Sequence, residues 1–188
     1  SQNCHSEEKG AFTGEISVDI LKDLNIPYII IGHSERRQHM AEADFILVKK
    51  INIALSKGLN VVWCCGETLS QKEYGLTFKV IENQLSYLFH ILKSLNKSNS
   101  QNIIIAYEPV WSIGTGKIPN LEIIEKIHIK IRNIIKDINP EIYDDIRIIY
   151  GGSVNIKNCK EIGNLKNVDG FLIGGSSIKE EFIDIINI

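Results

Sequence analysis

The sequence predicts an α/β fold: one domain of 188 residues in which the strands of a parallel sheet alternate with helices. Two observations carry this. Short apolar runs rich in β-branched residues alternate with longer segments of helical periodicity, and no strand hairpin interrupts the alternation. A third observation orients the fold. His33, Glu67, Glu108, Gly151-Gly152-Ser153 and Gly174-Gly175 each follow directly on a predicted strand. In parallel α/β folds these strand ends share one face, the face that binds ligands. Periodicity alone fits a doubly wound sheet and a closed barrel equally well.

Taken in order, the chain opens with a protruding loop between Gly10 and Glu15, then a short amphipathic helix from Asp19 to Leu24. Pro27 introduces a strand at Tyr28-Ile29-Ile30-Ile31, and a helix from Asp44 to Leu55 ends at Lys57-Gly58, a C-cap signal. The next strand is Asn60 to Cys65, followed by a long helix from about Leu76 to Leu95 and a polar linker to Gln101. Asn102 to Tyr107 is an apolar run suited to a strand buried on both faces. A helix from Leu121 to about Ile138 ends near Pro140, and Arg147 to Tyr150 is a strand. Val154 to Ile162 contains a helix, Gly170 to Ile173 is the last strand, and Lys179 to Ile186 the last helix.

The most informative stretch runs from Ala106 to Lys117. Glu108 stands at the end of a strand, and Pro109 stops that strand because it lacks an N–H and fixes φ. Trp111, Gly114, Thr115 and Gly116 follow before the next helix. An acid at a strand end, a stiff hinge and a glycine loop suit a lid over an anionic ligand. The glycine pairs after the last two strands suit main-chain binding of phosphate. A P-loop is excluded, because Gly116-Lys117 would need a glycine at the position of Trp111.

Composition excludes several classes. Apolar residues make up 44% of a chain of net charge −2 without a basic block, so it reads as globular and not as a nucleic-acid or anionic-membrane binder. No apolar run approaches membrane-spanning length, and Ser1 to Cys4 is not a signal peptide. Cys4, Cys64, Cys65 and Cys159 form no C-x-x-C, and the five histidines show no ligand spacing, so neither a disulfide framework nor a metal is expected. Reduced thiols point to a cytosol-like compartment.

The stretch A-Y-E-P-V-W-S-I-G-T-G-K resembles the lid loop of the triosephosphate isomerase family, A-Y-E-P-V-W-A-I-G-T-G-K, and Gly32 to Arg37 is similar to that family's G-H-S-E-R-R. Tyr150-Gly151-Gly152-Ser153 and Cys64-x-Gly66-Glu67 resemble two further motifs, and the likeness covers the whole chain. It implies a (β/α)8 barrel and the interconversion of dihydroxyacetone phosphate and D-glyceraldehyde 3-phosphate in glycolysis and gluconeogenesis, without a cofactor. On this resemblance Glu108 is the general base. His33 is the electrophile, kept neutral because a helix N-terminus lowers its pKa; the family serves as a standard example of such tuning. Glu35 is a supporting acid; Arg36 and Arg37 form structural ion pairs; Cys64 is a packing residue. Gly114, Ser153, Gly174 and Gly175 bind the phosphate, and Pro109, Val110, Trp111, Ser112, Ile113, Thr115, Gly116 and Lys117 belong to the lid. Phe12, Thr13, Gly14 and Glu15 form an arm into a partner subunit, which implies a cytoplasmic homodimer.

Three departures from the family pattern stand out. Ser112 replaces an alanine in the lid, and Ile118-Pro119 replaces Thr-Ala at the second hinge, where proline removes a φ freedom. The chain begins at the end of the family's third strand, so no residue is assigned to the family's catalytic lysine and an incomplete barrel with open edges is expected. The rival readings are another enzyme on a phosphate-binding barrel, and an inactive or partner-dependent fragment.

Overall fold

Four strands form one parallel sheet in sequential order: β1 (Tyr28–Ile31), β2 (Asn60–Cys65), β3 (Ile103–Tyr107) and β4 (Arg147–Tyr150). The structure is a computed structural model that describes residues 1–188. Its helices are α1 (Val18–Asp23), α2 (Ser34–His39), α3 (Asp44–Ser56), α4 (Leu69–Glu73), α5 (Thr77–Ser86), α6 (Phe89–Ser94), α7 (Leu121–Ile138), α8 (Cys159–Gly163) and α9 (Glu181–Ile186).

Period-two alternation sorts the strand residues onto two faces. Ile31, Trp63, Ile105 and Ile148 lie in register and pack against the helices, in a core of 34 buried residues. Cys64, Ala106 and Ile149 lie in register on the other face, in a separate cluster of only five. The helix-side core is held by stripes such as Ile124, Ile127, Ile131 and Ile135 of α7, whose spacing keeps them on one side of the helix. Asn120 caps that helix, its side chain accepting from the Ile123 N–H at 2.8 Å.

Beyond β4 the ladder shrinks to a single bridge between Tyr150 and Phe171, not the full strand expected from Gly170 to Ile173. A side chain ends the ladder on the side before this bridge. The Asp169 carboxylate accepts the Ile148 N–H at 2.6 Å, taking a bond that a neighbouring strand's carbonyl would accept. On the opposite edge Ser1 extends the pairing. Its ammonium donates to the Tyr28 carbonyl at 2.6 Å, and its carbonyl accepts from Ile30 at 2.9 Å. The sheet is an open arc in which β1 and β4 are not neighbours.

Two other expectations change. The long helix from Leu76 to Leu95 is two helices, α5 and α6, because the ladder tightens where the Leu88 N–H bonds back to Leu85. Two short helices, α2 and α4, were not expected. Each begins directly after a strand end and so helps to shape the face described next.

Candidate active site

Glu108 is placed by backbone before it is placed by side chain. Its N–H donates to the Cys65 carbonyl at 2.7 Å, and on the other side Gly151 donates to the Tyr107 carbonyl at 2.8 Å. The ladder of β2, β3 and β4 thus runs on to the acid itself. Two glycines make the fit possible. A Cβ on Gly66 would lie 1.7 Å from the Glu108 carbonyl oxygen, and one on Gly151 would lie 2.9 Å from its Cγ. Gln84 grips Gly66 from outside: its amide accepts from the Gly66 N–H at 2.8 Å and donates to the Gly66 carbonyl at 3.2 Å. The result is a carboxylate only 2% exposed at a strand end.

His33 meets it from β1. Its Nε2 lies 3.0 Å from Glu108 Oε1, and the Ser34 N–H donates to Oε2 at 3.2 Å. His33 also caps α2, with Nδ1 accepting the Glu35 N–H at 3.4 Å. Because Nδ1 is an acceptor, the ring proton of the neutral form sits on Nε2, facing Glu108. The expected lowering of the His33 pKa by a helix terminus is not what this arrangement gives. The hydrogen bond to Glu108 raises it, against the opposing effect of burial. The Glu35 carboxylate is largely exposed and lies 3.8 Å from Nδ1.

Arg36 lines the cleft and Arg37 lies outside it; both brace its walls. Arg36 bonds Glu42 at 2.7 Å, and Lys50 bonds both Glu42 and Asn3. Burial pushes the Glu42 carboxyl up, but the Arg36 and Lys50 hydrogen bonds outweigh it and hold the pKa below its usual value. Arg37 bonds Asp44, the Gly32 carbonyl and the Cys64 carbonyl, and lies over the Trp63 ring. Cys64 is wholly buried, and burial, with Glu108 nearby, raises its thiol pKa well above normal.

These groups open into a cleft of about 550 Å³. His33, Glu35 and Glu108 line it together with Gly114, Gly116, Ser153, Gly174 and Gly175. The lid is split. Ile113, Gly114 and Gly116 face the cleft, whereas the Trp111 indole turns away to donate to Glu67 at 2.9 Å. Ser153 ties the lid down by donating to the Ser112 carbonyl at 2.6 Å, and the Ser112 hydroxyl donates to the Lys117 carbonyl across the lid's base. The segment from Phe12 to Glu15 lies outside the cleft and is exposed, with the Phe12 ring on His5.

Sequence reasoning missed several cleft residues: Gln2, Asn3, Asn155, Ser176 and Lys179. Only position in the fold brings them there. It also missed α4, although Thr68-x-x-Gln71 is a capping-box signal and both of its hydrogen bonds form. No group of three or more His, Cys, Asp or Glu side chains is placed to hold a metal, and no helix is long and apolar enough to cross a membrane.

Comparison with known proteins fits this geometry. The profile of the family described as triosephosphate isomerase matches residues 1–188. The chain is 45% identical to the triosephosphate isomerase of Neurospora crassa and 47% identical to that of Aspergillus oryzae, in each case over all 188 residues and 74% of the relative. It is 45% identical to a protein of Oryza sativa subsp. japonica named triosephosphate isomerase, cytosolic, covering 72% of that relative.

Proposed function

The chain belongs to the triosephosphate isomerase family, and from that premise we propose that its cleft interconverts dihydroxyacetone phosphate and D-glyceraldehyde 3-phosphate. One observation carries the proposal: a buried carboxylate and an imidazole N–H, 3.0 Å apart, open into a cleft that is also lined by Gly114, Gly116, Gly174 and Gly175.

The chemistry follows from those positions. Glu108 accepts the proton from the hydroxyl-bearing carbon next to the carbonyl and returns it to the neighbouring carbon. His33 Nε2–H donates to the carbonyl oxygen as charge develops there, and the same ring moves a proton between the two oxygens of the enediolate. At 3.0 Å the two groups leave no room for a carbon atom, so substrate must part them. Once His33 faces a neutral carbonyl instead of Glu108, the largest cause that raised its pKa, the hydrogen bond to Glu108, is gone. Burial, which favours the neutral ring, then dominates.

Backbone N–H groups of Gly114, Gly174 and Gly175, with the Ser153 hydroxyl, take the phosphate dianion, and the lid closes to exclude water. Glu35 supports the site from its mouth. No cofactor enters this reaction. The exposed segment from Phe12 to Glu15 reaches into a second copy of the chain as a homodimer, and the site of action is cytoplasmic.

The test is isomerase turnover in the full-length protein carrying Glu108→Asp. Retracting the base by one methylene, near 1 Å, should cost about 10²-fold in kcat. A variant within threefold of the parent sinks the assignment of Glu108.

A further inference from the structure

A second cleft, of about 670 Å³, lies behind the lid, between the α4–α5 turn and the first turns of α7. Its apolar surface comes from Trp111, Phe78 and Ile123, the last two 46% and 43% exposed. Its charge comes from Lys72, Lys117 and Lys126, none of which has a carboxylate within 4 Å. The Lys72 ammonium is fixed 3.5 Å above the Trp111 ring. The only acid lining the cleft, Glu67, is 1% exposed, and its oxygens are already bonded by the Tyr107 hydroxyl and the Trp111 indole. Three cations therefore face an apolar wall with at most one buried charge to offset them. Because Trp111, Lys117 and Pro119 all border this cleft, both hinges of the lid form its floor.

We infer that this cleft is a binding site for a small aromatic anion, a planar ring bearing a carboxylate, sulfonate or phosphate. The ring lies on Phe78 and Ile123, and the anion takes the ammonium groups of Lys72 and Lys126. Such a ligand buttresses Trp111 in its bond to Glu67 and so resists lid movement. Only that coupling rests on the isomerase reading.

The probe is 1-anilinonaphthalene-8-sulfonate, titrated into the full-length protein and followed by its own fluorescence. One-to-one saturable binding, weakened about tenfold by K72Q/K126Q and lowered to a plateau but not abolished by saturating 2-phosphoglycolate, is expected. Absence of saturable binding, an unchanged affinity in the double variant, or one-for-one displacement by 2-phosphoglycolate overturns the site. The coupling is read separately. A kcat that falls as the site fills, at constant KM, supports it, and a kcat unmoved at saturation overturns it. Circular dichroism of the double variant checks that the fold is kept; F78A supplies a second variant expected to lose affinity if K72Q/K126Q does not fold.

Discussion

The two walls of the cleft are built on opposite principles. Around Glu108 the protein is packed so closely that a methyl group on Gly66 or Gly151 would collide with the acid's own atoms. At Gly114, Gly174 and Gly175 an added Cβ would meet no atom within 4 Å. One wall is made rigid by neighbours; the other is left open so that backbone can reach a ligand. The difference matches the two tasks assigned to them. Proton transfer tolerates little misplacement, whereas a phosphate with many oxygens is satisfied by several donors of looser placement. Both walls use glycine, for contrary reasons: Gly66 makes space for protein, and Gly174 leaves space for something else.

The sharpest break in that comparison is Gly66→Ala. The new methyl forces the Glu108 backbone aside and disturbs the Gln84 clamp, so we expect a loss of at least about 3 kcal/mol of stability. Chemical denaturation of the full-length protein measures it, and a loss below about 1 kcal/mol would show that the wall is softer than its packing suggests.

Acid probes the same wall from beneath. His128 is fully buried, edge-on to Tyr107, with Nδ1 against the Asn167 carbonyl at 3.0 Å. Burial lowers its pKa to about 4, from 6.5. The folded pKa lies below the unfolded one, so the unfolded chain binds more protons between these values. This group's contribution is complete above pH 6.5 and is lost as pH falls from 6.5 to about 4. A drop of 2.5 units corresponds to on the order of 3 kcal/mol. Stability measured across that range should fall for the parent and fall less for His128→Gln.

The sequence made parts of this comparison readable in advance. The runs Asn60 to Cys65 and Asn102 to Tyr107 became strands, the second beginning one residue later, at Ile103, because their β-branched and apolar character leaves little alternative. The clustering of polar groups after strands brought His33, Glu108, Ser153 and Gly174 into one cleft. What stayed hidden depends on partners distant in the chain. The raised pKa of His33 needs Glu108, two strands away, and the end of the ladder before Tyr150 needs the Asp169 carboxylate on Ile148. The short helices α2 and α4 bury little and owe their definition to caps, of which Thr68 with Gln71 was legible and His33 was not.

Ser153 belongs to both walls, since its hydroxyl holds the lid by the Ser112 carbonyl and also lines the cleft. Ser153→Ala removes one partly buried hydrogen bond, worth about 1 kcal/mol. The affinity for 2-phosphoglycolate should fall about fivefold while the thermal midpoint moves by only a few degrees. A midpoint loss as large as that of Gly66→Ala would place Ser153 in the rigid wall instead.

The smallest effect is the most discriminating one. Gly175→Ala adds a methyl group with no atom within 4 Å, and Gly175 opens a single 3-10 turn, a backbone conformation that any amino acid adopts. Its stability should stay within about 0.5 kcal/mol of the parent. The methyl nevertheless stands at the cleft, where a phosphate oxygen must approach the backbone closely. Binding of 2-phosphoglycolate should therefore weaken severalfold, with the denaturation midpoint in place. The same substitution, glycine to alanine, would then cost the fold at position 66 and the ligand at position 175. Should Gly175→Ala destabilise the protein while leaving affinity intact, position 175 serves the fold, and the open wall is not the phosphate wall.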